Sequence, residues 1–128
     1  MKLLVEKDDI FKITVYAYMD KNDDVIATID EKEIPIDSKV TTVNFTFRRP
    51  NNKDSVSLSS SSISTDAEGK VKVDIITMQD KVRRNLLVDW DLTDEEGQKI
   101  PFNVNNLDKL HPAVSRVVSI EALSKIKI

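Results

Sequence analysis

VDIITMQDKVRRNLLVDW, residues 73–90, is where the chain changes its hydrophobic period. Ile75, Met78, Val82, Leu86 and Trp90 recur at steps of three and four, the spacing of one helix face. Ile76 and Leu87 widen the stripe, while Lys81, Arg83 and Arg84 lie opposite. Asp74 is a suitable N-cap, since its carboxylate can accept from the first free amides. The spacing predicts a helix over 75–89, with Trp90 closing a core stripe. Val71 and Val73, just upstream, could instead finish a strand.

Before this point the period is two. In FKITVYAYM, Phe11, Ile13, Val15, Ala17 and Met19 share one face and Lys12, Thr14, Tyr16 and Tyr18 the other. The polar DKNDD turn (20–24) follows, and Val25, Ala27 and Ile29 alternate again, which predicts a hairpin. Residues 30–38, charged and with Pro35 among them, read as a connection or an edge. Val43, Phe45 and Phe47 mark a third strand, which Pro50 stops because proline cannot extend a ladder. Residues 51–69 hold five serines within 57–62, and serine competes with the backbone for hydrogen bonds. A flexible loop is the expected form; the alternative is a short helix capped by Asn52 or Asp54 that orders only against a partner.

After residue 90 the sequence reads as a connector. LTDEEG is a polar turn in which Gly97 can take positive φ. A short helical turn is expected at 105–110, and Pro112 suits the first turn of a last helix. Ala113, Val114, Val117, Val118, Ile120 and Leu123 supply that helix's apolar face, and Lys125 and Lys127 suit its C-terminal end. The fold class is therefore α+β: three or more antiparallel strands, then a C-terminal helical region of two main helices. One domain is expected over 1–128, with a β-rich part at 1–50, a flexible Ser-rich loop at 51–69 and a helical part at 70–128.

Composition narrows the function classes. The net charge of −3 gives no long-range attraction to nucleic acid or anionic lipid, so neither is an expected partner. No cysteine is present, which excludes a disulfide framework, a thiolate metal site and a cysteine nucleophile. MKLLV resembles the opening of a signal peptide, but Glu6, Lys7, Asp8 and Asp9 interrupt it, so the mature chain is expected to begin near Met1. No apolar run approaches the roughly 20 residues of a membrane span.

Each candidate site has a plainer reading. His111 is the sole histidine, yet nothing in the sequence identifies a nucleophile or orienting acid beside it, and Pro112 follows. A capping or surface histidine is expected. Asp20, Asn22, Asp23 and Asp24 lack the glycine and glutamate of a calcium loop, and Asp94, Glu95 and Glu96 read as turn charge. Arg48–Arg49 and Arg83–Arg84 could meet phosphate, but ion pairs fit isolated pairs better. Gly69 and Gly97 lie too far apart for a phosphate loop. No catalytic residue, metal ligand or cofactor site is expected, and the chain reads as a binding module.

LLVDW, then DEEG, IPF and LDKLHP leading into a last helix, resembles small tail assembly chaperones and related accessory proteins of tailed bacteriophages. FTFRRPNNKDS is similar to the strand-then-R-x-P opening of some of them, so the resemblance spans about residues 43–125. It implies a non-enzymatic protein in the host cytoplasm, self-associating, that holds a long helical tape-measure protein soluble until tail tube surrounds it. Many such chaperones are mostly helical, and the β-rich first 40 residues depart from that. The departure keeps open a structural virion protein (tail, head–tail connector or capsid-decorating), with a small host-directed regulator as a third reading. Pattern alone selects the partner-binding candidates: apolar Leu86, Leu87, Trp90, Val114 and Val117, rimmed by Arg83 and Arg84.

Overall fold

The computed structural model describes residues 1–126 and is α+β. Strand β1 (Ile10–Met19) forms a hairpin with β2 (Val25–Thr28) and pairs on its other side with β3 (Thr41–Arg48). Alternation places Phe11, Ile13 and Val15 beside Val43, Phe45 and Phe47 on one buried face. The other face carries Lys12, Thr14, Asn44, Thr46 and Arg48, exposed or half-buried. A single 3-10 turn (Glu31–Glu33) interrupts the β2–β3 connection.

The chain then leaves the sheet and returns. Residues 51–69, expected as a flexible loop, instead form helix α1 (Asn52–Ser62), strand β4 (Ile63–Thr65) and a turn into β5 (Val71–Val73). The helix has physical support that serine content hides. Asn51 accepts from the Asp54 amide while the Asp54 carboxylate accepts from the Asn51 amide, a reciprocal cap. Arg48 holds that same carboxylate with two hydrogen bonds. The Ser60 and Ser61 hydroxyls donate back to the Ser57 carbonyl, and Leu58 is buried. Packing of α1 on helix α2 (Ile75–Leu86) then outweighs weak propensity.

Helix α2 ends at Leu86, not near residue 89. Leu87–Trp90 is strand β6, which pairs with β3 and completes the sheet in the order β2-β1-β3-β6. Phe47 opposes Leu87, Thr46 opposes Asp89, and Val88 is left over, a β-bulge. The bulge turns both Leu87 and Trp90 inward although they lie three residues apart. The expected helical part at 70–128 thus contains two strands beside its two main helices, Ile75–Leu86 and Pro112–Ile126, and the third main helix, α1, lies in the segment expected as a loop.

Helix α3 (Val104–Asp108) and helix α4 (Pro112–Ile126) close the fold. Val114, Val118 and Ala122 of α4 enter a single core cluster with Val82 and Leu86 of α2 and the inner sheet face. Ile120, expected on that face, is exposed, and Ser119 is buried instead. Lys127, expected at the helix end, lies outside the described residues. The stripe of α2 is also shorter than its spacing suggested. Met78 is half-buried, and Ile75 and Ile76 in the first turn are exposed. No helix among the described residues is long and apolar enough to cross a membrane.

Three turns share one construction. In DKNDD (20–24), DAEGK (66–70) and DEEGQ (94–98) the leading aspartate accepts from the amides two and four residues on. The fourth residue of each, Asp23, Gly69 or Gly97, is left-handed, with φ of 62°, 81° and 81°. Asp20 and Asp94 therefore serve as turn acceptors, in accord with the turn reading of both acidic clusters.

Candidate interaction surface

The side chains weighed as catalytic or anion-binding candidates stand apart from one another, each in a structural contact. His111 sits at the start of α4, where its Nδ1 accepts from the Ala113 amide at 3.1 Å. Arg48 is paired with Asp54, which its hydrogen bonds hold below the usual carboxylate range. The Arg49 guanidinium lies 5.2 Å from the Phe11 ring centroid. Arg84 bridges Asp80 and Asp108, drawing α2 and α3 together. Arg83 Nη1 donates to Ser119 Oγ at 2.6 Å, and burial pushes its guanidinium down. Among the described residues no three His, Asp or Glu side chains are grouped to hold a metal ion.

The apolar candidates need correction. Leu86, Leu87, Trp90 and Val114 are buried in the chain's own core, and Val117 is half-buried against it. Trp90 is fixed from three sides: Phe45 and Phe102 meet it edge-on, and its Nε1 donates to the Ile100 carbonyl at 2.7 Å. A partner would reach the four buried residues only by opening the fold. The helix faces that looked free are satisfied by the sheet, which their periodicity could not reveal.

Apolar surface is left uncovered elsewhere, on the excursion formed by α1, the β4–β5 hairpin and the first turn of α2. All six residues of β4 and β5 are exposed. Ile63 faces Val73 and Thr65 faces Val71, so the hairpin has one uncharged face of Ile63, Thr65, Val71 and Val73. Ser64 and Lys72 occupy the reverse. Val56 on α1 lines a shallow cavity with Ile63, and Ile75 and Ile76 follow Val73 after the exposed Asp74. Val71 is 68 % exposed and Ile76 80 %, values that mark uncovered side chains rather than a frayed core edge. Each of the six aliphatic side chains is at least 41 % exposed, and grouped apolar exposure of this kind on a charged chain often marks a contact site.

The sequence held a signal for this arm. Ile63, Thr65, Val71 and Val73 alternate on either side of DAEGK, a strand–turn–strand pattern. The serines before it obscured the pattern. Comparison with protein-family models, with curated proteins and with solved structures finds no match to this chain.

Proposed function

We propose that this chain is a non-enzymatic assembly protein that acts by contact with other polypeptides through the α1–hairpin–α2 arm. The observation that carries the reading is the aliphatic cluster of Val56, Ile63, Val71, Val73, Ile75 and Ile76 left in solvent on an otherwise highly charged chain. Burying such side chains against a partner contributes about 25 cal/mol per Å² before the cost of association, enough to hold a modest contact. The arm offers an amphipathic hairpin beside a helix end, a surface suited to the apolar stripe of a long helix.

The resemblance of residues 43–125 to tail assembly chaperones supports a narrower version: a phage protein in the host cytoplasm whose partner is a tape-measure protein. On this reading the partner meets the arm, and Leu86, Leu87, Trp90 and Val114 stay within the core. Co-expression with a long helical phage protein tests the reading, using Ile76→Asp and Val73→Asp as probes. Both positions are exposed, so the fold tolerates them. Co-purification lost in the variants supports the arm; co-purification unchanged in both overturns it. Many copies in purified particles, found by mass spectrometry, would replace the chaperone role with a structural one.

A further inference from the structure

We infer that the cavity where the N-terminal segment meets the end of β3 and the start of α1 binds a phosphoryl group. The cavity measures about 550 Å³. Four cations line it, Lys7, Arg48, Arg49 and Lys53, against two carboxylates, Glu6 and Asp54. The site is thus positive on a chain whose net charge is −3. It is independent of the contact arm, since it lies at the opposite end of α1 from the β4–β5 hairpin. The carboxylates nearest the cations are already engaged. Asp54 accepts from Arg48 and from the Asn51 amide, and Asp9, beside Arg49, accepts from Lys2 and from the Glu6 amide. Lys7, Arg49 and Lys53 form no ion pair among the described residues.

Arg49 is held ready for such a ligand. Its guanidinium lies 5.2 Å from the Phe11 ring centroid, and its amide donates to the Asp9 carbonyl at 2.7 Å. Stacking occupies the flat face of the guanidinium and leaves its N–H edge unspent. Three unpaired cations from three chain segments suit a tetrahedral dianion, which presents oxygens on several sides. A planar carboxylate is satisfied by one arginine fork. In the first turn of α1 the Asp54 and Ser55 amides are spent on Asn51, while those of Asn52 and Lys53 have no partner among the described residues. Val5 and Val88, both exposed, wall the cavity and offer apolar contact to the carbon of a phosphate ester.

Amide NMR of the full chain tests the inference. It is titrated at about pH 8 with inorganic phosphate and with phenyl phosphate, against sodium chloride at matched ionic strength. Saturable shifts are expected at the amides of residues 49–54, with a dissociation constant of about 1–10 mM. Lys53→Gln and Arg49→Gln are each expected to weaken binding about fivefold, and Glu6→Gln to tighten it about twofold. Lys53 and Glu6 are exposed, so these two variants keep the fold whatever the Arg49 stack contributes. Lys39→Gln, beyond the other end of β3, is expected to leave binding unchanged. Tighter binding of phenyl phosphate assigns the group to an ester; equal or weaker binding assigns it to free phosphate, and either supports the site. Shifts that chloride reproduces, binding that survives both Lys53→Gln and Arg49→Gln, or equal weakening by Lys39→Gln overturns it.

Discussion

Arg83 Nη1 lies 2.6 Å from the Oγ of Ser119, whose own hydroxyl donates to the Ser115 carbonyl at 2.6 Å. This bond ties α2 to α4 inside the apolar cluster, and Ser119 is fully buried. The half-buried guanidinium exchanges part of its hydration for one hydroxyl and a 3.5 Å approach to Asp80. Ser119→Ala is expected to destabilise the fold by about 1–3 kcal/mol, because it strands a charged donor. A double-mutant cycle with Arg83→Met in urea isolates the pair. Coupling of about 1 kcal/mol or more is expected, and strictly additive effects would refute the tie.

Trp90 joins the bulged end of β6 to the connector that follows it. Its Nε1 donates to the Ile100 carbonyl, and Ile100 donates in turn to the Leu92 carbonyl at 2.8 Å. Trp90→Phe keeps most of the volume but leaves that carbonyl unpaired, with an expected loss of about 1–3 kcal/mol. Trp90→Ala opens a cavity between Phe45 and Phe102 and is expected to cost about 3–5 kcal/mol. Urea unfolding followed by circular dichroism measures both. A near-neutral Trp90→Ala would mean that the indole is not part of the core.

Where periodicity had a single physical cause, the fold was legible in the sequence. The alternation of Phe11, Ile13 and Val15 and of Val43, Phe45 and Phe47 reads directly as a half-buried sheet, and Pro112 marks the start of α4. Leu87 and Trp90 misled for a definite reason. A β-bulge puts residues three apart on one face, which is also the helical spacing, so LLVDW fits either form until its pairing with β3 is seen. The Ser-rich segment misled because its helix is fixed by Arg48, Asn51 and Asp54 at one end and by α2 alongside, not by its own propensity. The candidate surface suffered most. Apolar periodicity identifies a face that wants cover, and only the fold shows that Leu86 and Val114 are covered while Val71 and Ile76 are not.

Asp54 links two devices, the α1 cap and the Arg48 ion pair. The Arg48 hydrogen bonds hold its carboxyl below the usual range despite partial burial. Its folded pKa is therefore lower than its unfolded value of about 3.9. The stabilisation is fully present above that value and is lost as pH falls through the folded pKa. Asp91 adds to the same acid limb. Burial pushes its carboxyl up, but bonds from the Asn44 side chain and amide outweigh this and hold it down. Thermal melts from pH 7 to pH 2 should show a fall in melting temperature in the acid range, partly flattened in Asp54→Asn. An Asp54→Asn profile parallel to wild type would remove Asp54 from the acid transition.

The shared turn construction separates conformational strain from contact. A methyl group at Gly97 would meet nothing within 4 Å, so any cost of Gly97→Ala comes from its φ of 81° alone. That cost is expected to be about 1 kcal/mol, the left-handed penalty less the entropy that alanine removes from the unfolded chain. Asp23 occupies the equivalent place in the first turn at φ 62°, where aspartate is better tolerated than alanine. Asp23→Gly should thus change stability by no more than about 0.5 kcal/mol, because relief of strain and added unfolded-state freedom nearly cancel. Asp94→Ala removes the acceptor for the Glu96 and Gln98 amides and is expected to cost about 1 kcal/mol or more. Urea midpoints rank the three. A Gly97→Ala variant as stable as wild type would show that the turn relaxes out of its left-handed form without loss.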